Sequence, residues 1–209
     1  MEGPKTSNKI HVLKIVVVGE GAVGKTSLVK TYSENSFNDN YLPTIGANFA
    51  SKKLTVDGKE ITYQIWDLGG QPQFNIVRQN FYRGARGAIY VFDVSRRETF
   101  ESLKKWREEV CEICGNIPSI IVGNKIDLPR KVETREGEKY SRCLNSPYFE
   151  TSVPLNLNIK ECFESIGRLI IGRTESSEDS NVKSSMIPFQ NNTPCPFKPI
   201  QSRYTDFSF

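Results

Sequence analysis

From Ile10 onward the chain alternates short aliphatic runs with amphipathic stretches. The first run, Val12-Leu13-Lys14-Ile15-Val16-Val17-Val18, is β-branched and nearly continuous, the pattern of a strand covered on both faces. Two strand-like segments follow at 49–56 and 61–66, joined through Asp57-Gly58, a two-residue hairpin signal. Shorter strands are predicted at 88–92, 120–122 and 148–151. Helical spacing is predicted over 25–33, 73–82, 98–111, 134–144 and 159–171. The last of these carries a stripe of Ile159, Cys162, Phe163, Ile166, Leu169 and Ile170. Strand–helix alternation with one hairpin predicts an α/β fold: a doubly wound, mostly parallel six-stranded sheet with one antiparallel edge strand.

At 209 residues the chain is long enough for one well-buried domain without disulfides or metal staples. Residues 1–9 read as a flexible terminus and 10–172 as the domain. Residues 173–209 lose the periodicity, gain Ser and Pro, and read as a mobile tail that still holds Phe189, Phe197, Tyr204, Phe207 and Phe209. A net charge of +4, with the basic residues scattered, argues against nucleic acid. No apolar run approaches the roughly 20 residues of a membrane helix, and the first ten residues lack a signal-type apolar region, so a cytoplasmic protein is expected. In that compartment the five Cys are read as small hydrophobes. Cys111-Glu112-Ile113-Cys114 ends a predicted helix before Gly115 and lacks the further thiols or imidazoles a zinc site needs, His11 being the single His.

The chemistry concentrates in three places. Gly19-Glu20-Gly21-Ala22-Val23-Gly24-Lys25-Thr26 matches G-x-x-x-x-G-K-[ST] between a strand and a helix. Backbone N–H groups of Gly19, Gly21, Ala22, Val23 and Gly24, with Lys25, Thr26 and Ser27 at the helix start, suit the phosphates of a nucleoside triphosphate. Lys25 is placed for the β- and γ-phosphates, and the Thr26 hydroxyl for Mg²⁺. Asn124-Lys125-Ile126-Asp127 follows the 120–122 strand, at the carboxyl end where open α/β sheets bind ligands. Its Asp carboxylate can accept from both the ring N–H and the exocyclic amine of guanine, a donor pair adenine lacks. Asp67-Leu68-Gly69-Gly70-Gln71 follows the 61–66 strand. There Asp67 can hold Mg²⁺ through a water, Gly70 can approach a γ-phosphate, and Gln71 can orient an attacking water. Thr44 is a second hydroxyl for Mg²⁺, recruited when a γ-phosphate is present, which is the differential contact a switch requires.

These motifs in one register resemble the small GTPases of the Ras superfamily, closest to the Rab branch. Ile45-Gly46-Ala47-Asn48-Phe49, Trp66-Asp67, Phe81-Tyr82-Arg83-Gly84-Ala85 and Glu150-Thr151-Ser152 are similar to Rab-type segments. The resemblance implies a GTP/GDP switch with Mg²⁺ in trafficking or signalling, working with effector, exchange-factor and GTPase-activating proteins, and acting as a monomer. It further implies that Phe37 sits edge-on to the base, that Ser152 and Val153 belong to the guanine pocket, and that Phe49, Trp66 and either Phe81 or Tyr82 face effectors.

Some positions depart from that pattern. Gly69 stands where the family has a small alanine, which loosens the segment, and Pro72 restricts the backbone of Gln71. Val153-Pro154 stands where the family has Ala-Lys. The chain ends Asp206-Phe207-Ser208-Phe209 without a prenylation box, so at most peripheral membrane contact is expected. Arg78, Arg83 and Arg86 lie near the Gln71 segment, yet none is placed as a built-in arginine finger, so slow intrinsic hydrolysis is expected. Gly69 and Pro72 also suit an alternative, a GTP-holding scaffold with little hydrolysis.

Overall fold

The computed structural model describes residues 11–34, 46–71 and 75–179. In chain order the elements are β1 (His11–Val18), α1 (Lys25–Glu34), β2 (Ala47–Val56), β3 (Lys59–Leu68), α2 (Asn75–Tyr82), β4 (Gly87–Asp93), α3 (Arg97–Glu101), α4 (Leu103–Cys114), β5 (Ser119–Asn124), α5 (Thr134–Cys143), β6 (Tyr148–Thr151) and α6 (Ile159–Asp179). The six strands form one sheet in the order β2-β3-β1-β4-β5-β6. All neighbours are parallel except the β2–β3 hairpin, as the sequence predicts.

The sheet divides the core in two. Ile15 and Val17 of β1 face one side with Leu28, Phe163 and Ile166, while Val16 and Val18 face the other with Tyr90, Trp106 and Val110. Alternate side chains of a central strand thus both find apolar cover, which is why β1 and β4 read as nearly continuous apolar runs. At the edge, β2 alternates in exposure and meets β3 through a turn in which Asp57 (φ 49°) and Gly58 (φ 78°) both have positive φ, as a type I′ turn requires.

Parallel registry lines up the strand ends. Val17 pairs with Asp67, Asp93 with Asn124, and Asn124 with Thr151. The chemistry-bearing segments therefore leave the sheet along one edge.

Two of the predicted helices differ from expectation. The helix predicted over 98–111 begins at Arg97 and is irregular at Ser102, whose Oγ bonds the Thr99 carbonyl at 2.9 Å in competition with the helix backbone. It continues to Cys114, where Gly115 (φ 67°) caps it through a bond to the Cys111 carbonyl. α2 ends at Tyr82 as predicted, and residues 73 and 74 of that prediction lie outside the described residues. α6 runs on to Asp179, past the predicted end at 171 and into the segment read as tail. Its last turns carry no apolar stripe, so periodicity could not register them. No helix among the described residues is long and apolar enough to cross a membrane.

Candidate functional site

The loop between β1 and α1 passes close over β4: a Cβ on Gly19 would stand 2.1 Å from the Val91 carbonyl oxygen. Its carbonyls are held one after another. Lys25 Nζ donates to the Gly19 and Glu20 carbonyls, each at 2.7 Å. Arg96 donates to the Gly21 carbonyl at 3.0 Å, Lys125 Nζ to Ala22 at 2.7 Å, and Asn124 Nδ2 to Val23 at 2.8 Å. Burial draws the Lys25 ammonium down to about 8, against the attraction of the Asp67 and Glu20 carboxylates.

Behind the loop lies Asp93, buried at the end of β4. One of its oxygens takes Lys125 Nζ at 2.8 Å and Arg96 Nε at 3.1 Å, and the other takes the N–H and hydroxyl of Ser95. Burial alone would raise this carboxyl, but the bonds from Lys125 and Ser95 outweigh it and hold it below the usual carboxylate range. Sequence reasoning missed Asp93 and Arg96. A carboxylate closing the aliphatic run 88–92 was the available signal for Asp93; nothing in the sequence marked Arg96.

Asn124, Lys125, Asp127 and Ser152 come together beside this loop. Asn124 accepts from the Thr151 hydroxyl at 2.9 Å while its amide holds Val23, and Ser152 donates to Asp127 Oδ1 at 2.5 Å. Lys125 has positive φ (66°), which swings its side chain back over the phosphate-type loop. The Val153 side chain is buried beneath this corner, and Pro154 is exposed.

On the opposite flank Thr26 donates to Asp67 Oδ2 at 2.5 Å, with Asp67 buried. Gly70 lies flat on the loop, since a Cβ there would stand 2.4 Å from the Gly19 carbonyl oxygen and 2.6 Å from the Gly21 nitrogen. Gly21, Ala22, Gly24, Lys25, Thr26, Ser27, Gly70 and Gln71 share one concavity with Leu68. Arg78, weighed as a nearby arginine, is 1% exposed and bonds the carbonyls of Gly69 (3.1 Å) and Gln71 (2.9 Å). Arg83 and Arg86 are exposed.

Of the two neighbouring aromatic residues, Phe81 packs on Trp66 and Tyr82 does not. Trp66 lies 5.2 Å from both the Phe49 and Phe81 rings, and Phe49 is 54% exposed, whereas Tyr82 is fully buried. Phe37, Thr44 and Pro72 lie outside the described residues. Cys111 and Cys114 are half-buried on the last turn of α4, their thiols raised mainly by burial, and Cys114 Sγ contacts the Tyr82 carbonyl at 2.9 Å.

A glycine loop clasped by cations and amides thus joins an Asn-Lys-x-Asp corner at one end and an Asp-x-Gly-Gly-Gln segment at the other, the layout of a P-loop domain. The Ras family model matches residues 14–172, and the chain belongs to that family of small GTPases, in its Rab-like branch. It is 36% identical over 189 residues to the Ras-related protein Rab-21 of Bos taurus, covering 89% of this chain and 85% of the relative. To the Rab-21 of Homo sapiens it is 37% identical over 185 residues, 87% of this chain and 82% of the relative. To that of Mus musculus it is 39% identical over 175 residues, 82% and 79% of the two chains.

Proposed function

We propose that the protein is a magnesium-dependent switch that binds GTP, hydrolyses it to GDP and phosphate, and presents a different surface in each state. The observation that carries this reading is that the guanine-side and phosphate-side loops are one bonded unit: Asn124 and Lys125 grip the carbonyls of Val23 and Ala22. With the carbonyls of residues 19 to 23 all engaged by side-chain donors, the loop offers a phosphate chain N–H groups, the Lys25 ammonium and the start of α1. The Asp127 carboxylate selects guanine, with Ser152 orienting it and Val153 closing the corner.

The donor set fits Mg²⁺. A buried carboxylate and a hydroxyl 2.5 Å apart are hard oxygen groups of the kind magnesium takes beside substrate phosphates. Thr26 and Asp67, the latter through water, with Thr44 joining in the triphosphate state, would hold it. Bound there, the ion neutralises charge on the β- and γ-phosphates. Gly70 senses the γ-phosphate from its seat on the loop. Gln71 orients a water whose oxygen bonds to the γ-phosphorus as the bond to the β–γ bridging oxygen breaks, giving GDP and phosphate.

Arg78 is engaged elsewhere, which supports slow intrinsic turnover and a rate enhancement of about 10³–10⁵ from an activating partner. Phe49, Trp66 and Phe81 form the face offered to effectors, in trafficking of the kind Rab-like proteins regulate. The protein acts as a cytoplasmic monomer, at most peripherally associated with membranes.

Single-turnover phosphate release from GTP-loaded protein tests the reading. Parent protein should hydrolyse slowly and the Gln71→Ala variant more slowly still. Equal rates would remove the role given to Gln71, and tight GTP binding with no hydrolysis, alone or with a cell extract, would make the protein a GTP-holding scaffold instead.

A further inference from the structure

Two adjacent glycines, Gly69 and Gly70, lead into Gln71, and glycine has the most backbone freedom to lose on ordering. Pro72 restricts Gln71 from one side, but local preference leaves the two glycines unfixed. The segment's amino-terminal side is tied where the Gly69 N–H donates to the Gly46 carbonyl at 2.8 Å. Beyond that, Arg78 Nη1 reaches the carbonyls of Gly69 and Gln71 at 3.1 and 2.9 Å, straddling Gly70.

The guanidinium is itself held on two further sides. Its Nη2 lies 3.2 and 3.3 Å from the two Glu109 oxygens, and Glu109 also accepts from the Tyr82 hydroxyl at 3.1 Å. Its Cζ lies over the Trp106 ring, 4.5 Å from the centroid. Trp106 Nε1 in turn donates to Glu20 Oε1 at 3.3 Å, on the phosphate-type loop. The Gln71 segment and the loop beneath it are thus referenced to one another through α4.

A buried ion pair is a poor way to stabilise a core, because desolvation offsets most of the attraction and apolar side chains of similar volume often do as well. What Arg78 supplies that an apolar side chain cannot is a rigid pair of directed donors.

We propose that Arg78, oriented by Glu109 and Trp106, is a positioning residue for hydrolysis that sets the backbone from which the Gln71 side chain addresses the attacking water. The proposal rests on the role given to Gln71 above. Arg78 touches no substrate and acts only through that segment.

The test compares four full-length proteins loaded with GTP: parent, Gln71→Ala, the charge-free pair Arg78→Met with Glu109→Gln, and the triple combination. The pair substitution leaves no uncompensated buried charge and keeps an acceptor for Tyr82. Its single-turnover phosphate release should fall by about 10- to 100-fold, while GDP dissociation changes by less than about twofold. In the Gln71→Ala background the same pair should change hydrolysis by less than about twofold, because an effect routed through Gln71 cannot be lost twice. If the pair variant fails to fold, Arg78→Lys serves. It keeps charge for Glu109 but lacks the planar fork, and it should show the same loss and the same dependence on Gln71.

Parent-like hydrolysis in the folded variant overturns the proposal, as does an equal loss in both backgrounds, which would mean general damage. A Gln71→Ala protein as active as the parent would instead remove the role of Gln71, and this proposal with it.

Discussion

Replacing Gly24 with alanine separates what this glycine does for the fold from what it does for the site. Gly24 has φ +97°, and a left-handed backbone costs an L-residue about 1–2 kcal/mol. That strain is present with or without nucleotide, so it lowers folding stability and largely cancels from affinity. The second effect is local. A Cβ at Gly24 would stand 2.3 Å from Asn124 Nδ2, where 3.4 Å is ordinary contact, so the amide has to retreat by about 1 Å. The retreat breaks the buried 2.8 Å bond from Asn124 to the Val23 carbonyl, the tie between the base-side and phosphate-side loops. Leaving such a buried group unsatisfied costs about 1–3 kcal/mol, which sets an upper bound of roughly 5- to 150-fold on the affinity lost as the base-side loop moves off the phosphate-side loop.

Gly58→Ala provides the control. Gly58 has φ +78°, and a Cβ there would meet nothing within 4 Å, so the variant carries the strain without the collision. Thermal melts should show both variants destabilised. Dissociation of a fluorescent GDP analogue should quicken only for Gly24→Ala. A folded Gly24→Ala protein that binds GDP like the parent, or a Gly58→Ala protein that loses as much affinity, would refute the reasoning.

Other outcomes follow from the same geometry. Asp127→Ala removes two charge-assisted bonds to guanine and should weaken GDP binding by about 10²–10⁴ without tightening ATP binding, read by direct titration of each nucleotide. Arg96→Ala frees the Gly21 carbonyl and should speed GDP release by about fivefold, measured by the same fluorescent dissociation. Asp93→Asn should act with pH. The folded carboxyl lies below its unfolded value of about 4, so its contribution is complete above that pH and is lost as pH falls through the lower folded value. The melting-temperature gap between parent and Asp93→Asn should therefore be widest near neutrality and close in acid; a gap unchanged by pH speaks against the Asp93 hub.

What the sequence shows and hides follows from the kind of interaction involved. The sheet was legible because β1 and β4 are apolar on both faces, and the hairpin because Asp57-Gly58 suits two positive φ angles in succession. The glycine loop and the Asn124-to-Asp127 string were legible because their chemistry needs fixed local spacing. Arg96, Asp93 and Arg78 were not. Arg96 meets Gly21 across 75 residues, and Arg78 meets Glu109 across 31, with partners that are carbonyls or side chains brought near only by strand order. Ser102 disrupted a periodic helix without changing its apolar stripe. That Phe81 rather than Tyr82 packs on Trp66 turned on the phase of α2, which two neighbouring aromatic residues do not disclose.

The central claim is that one pocket holds guanine nucleotide, with Asp127 reading the base and the Lys25 loop holding the phosphates. The most direct test is to extract the nucleotide from protein purified in magnesium, identify it, and challenge the bound species with excess GTP and excess ATP. The account predicts close to one GDP or GTP per chain, exchanged by GTP, released faster when magnesium is chelated, and not displaced by ATP. Protein that carries no guanine nucleotide and cannot be loaded with any, or that exchanges its nucleotide equally well for ATP, would contradict it.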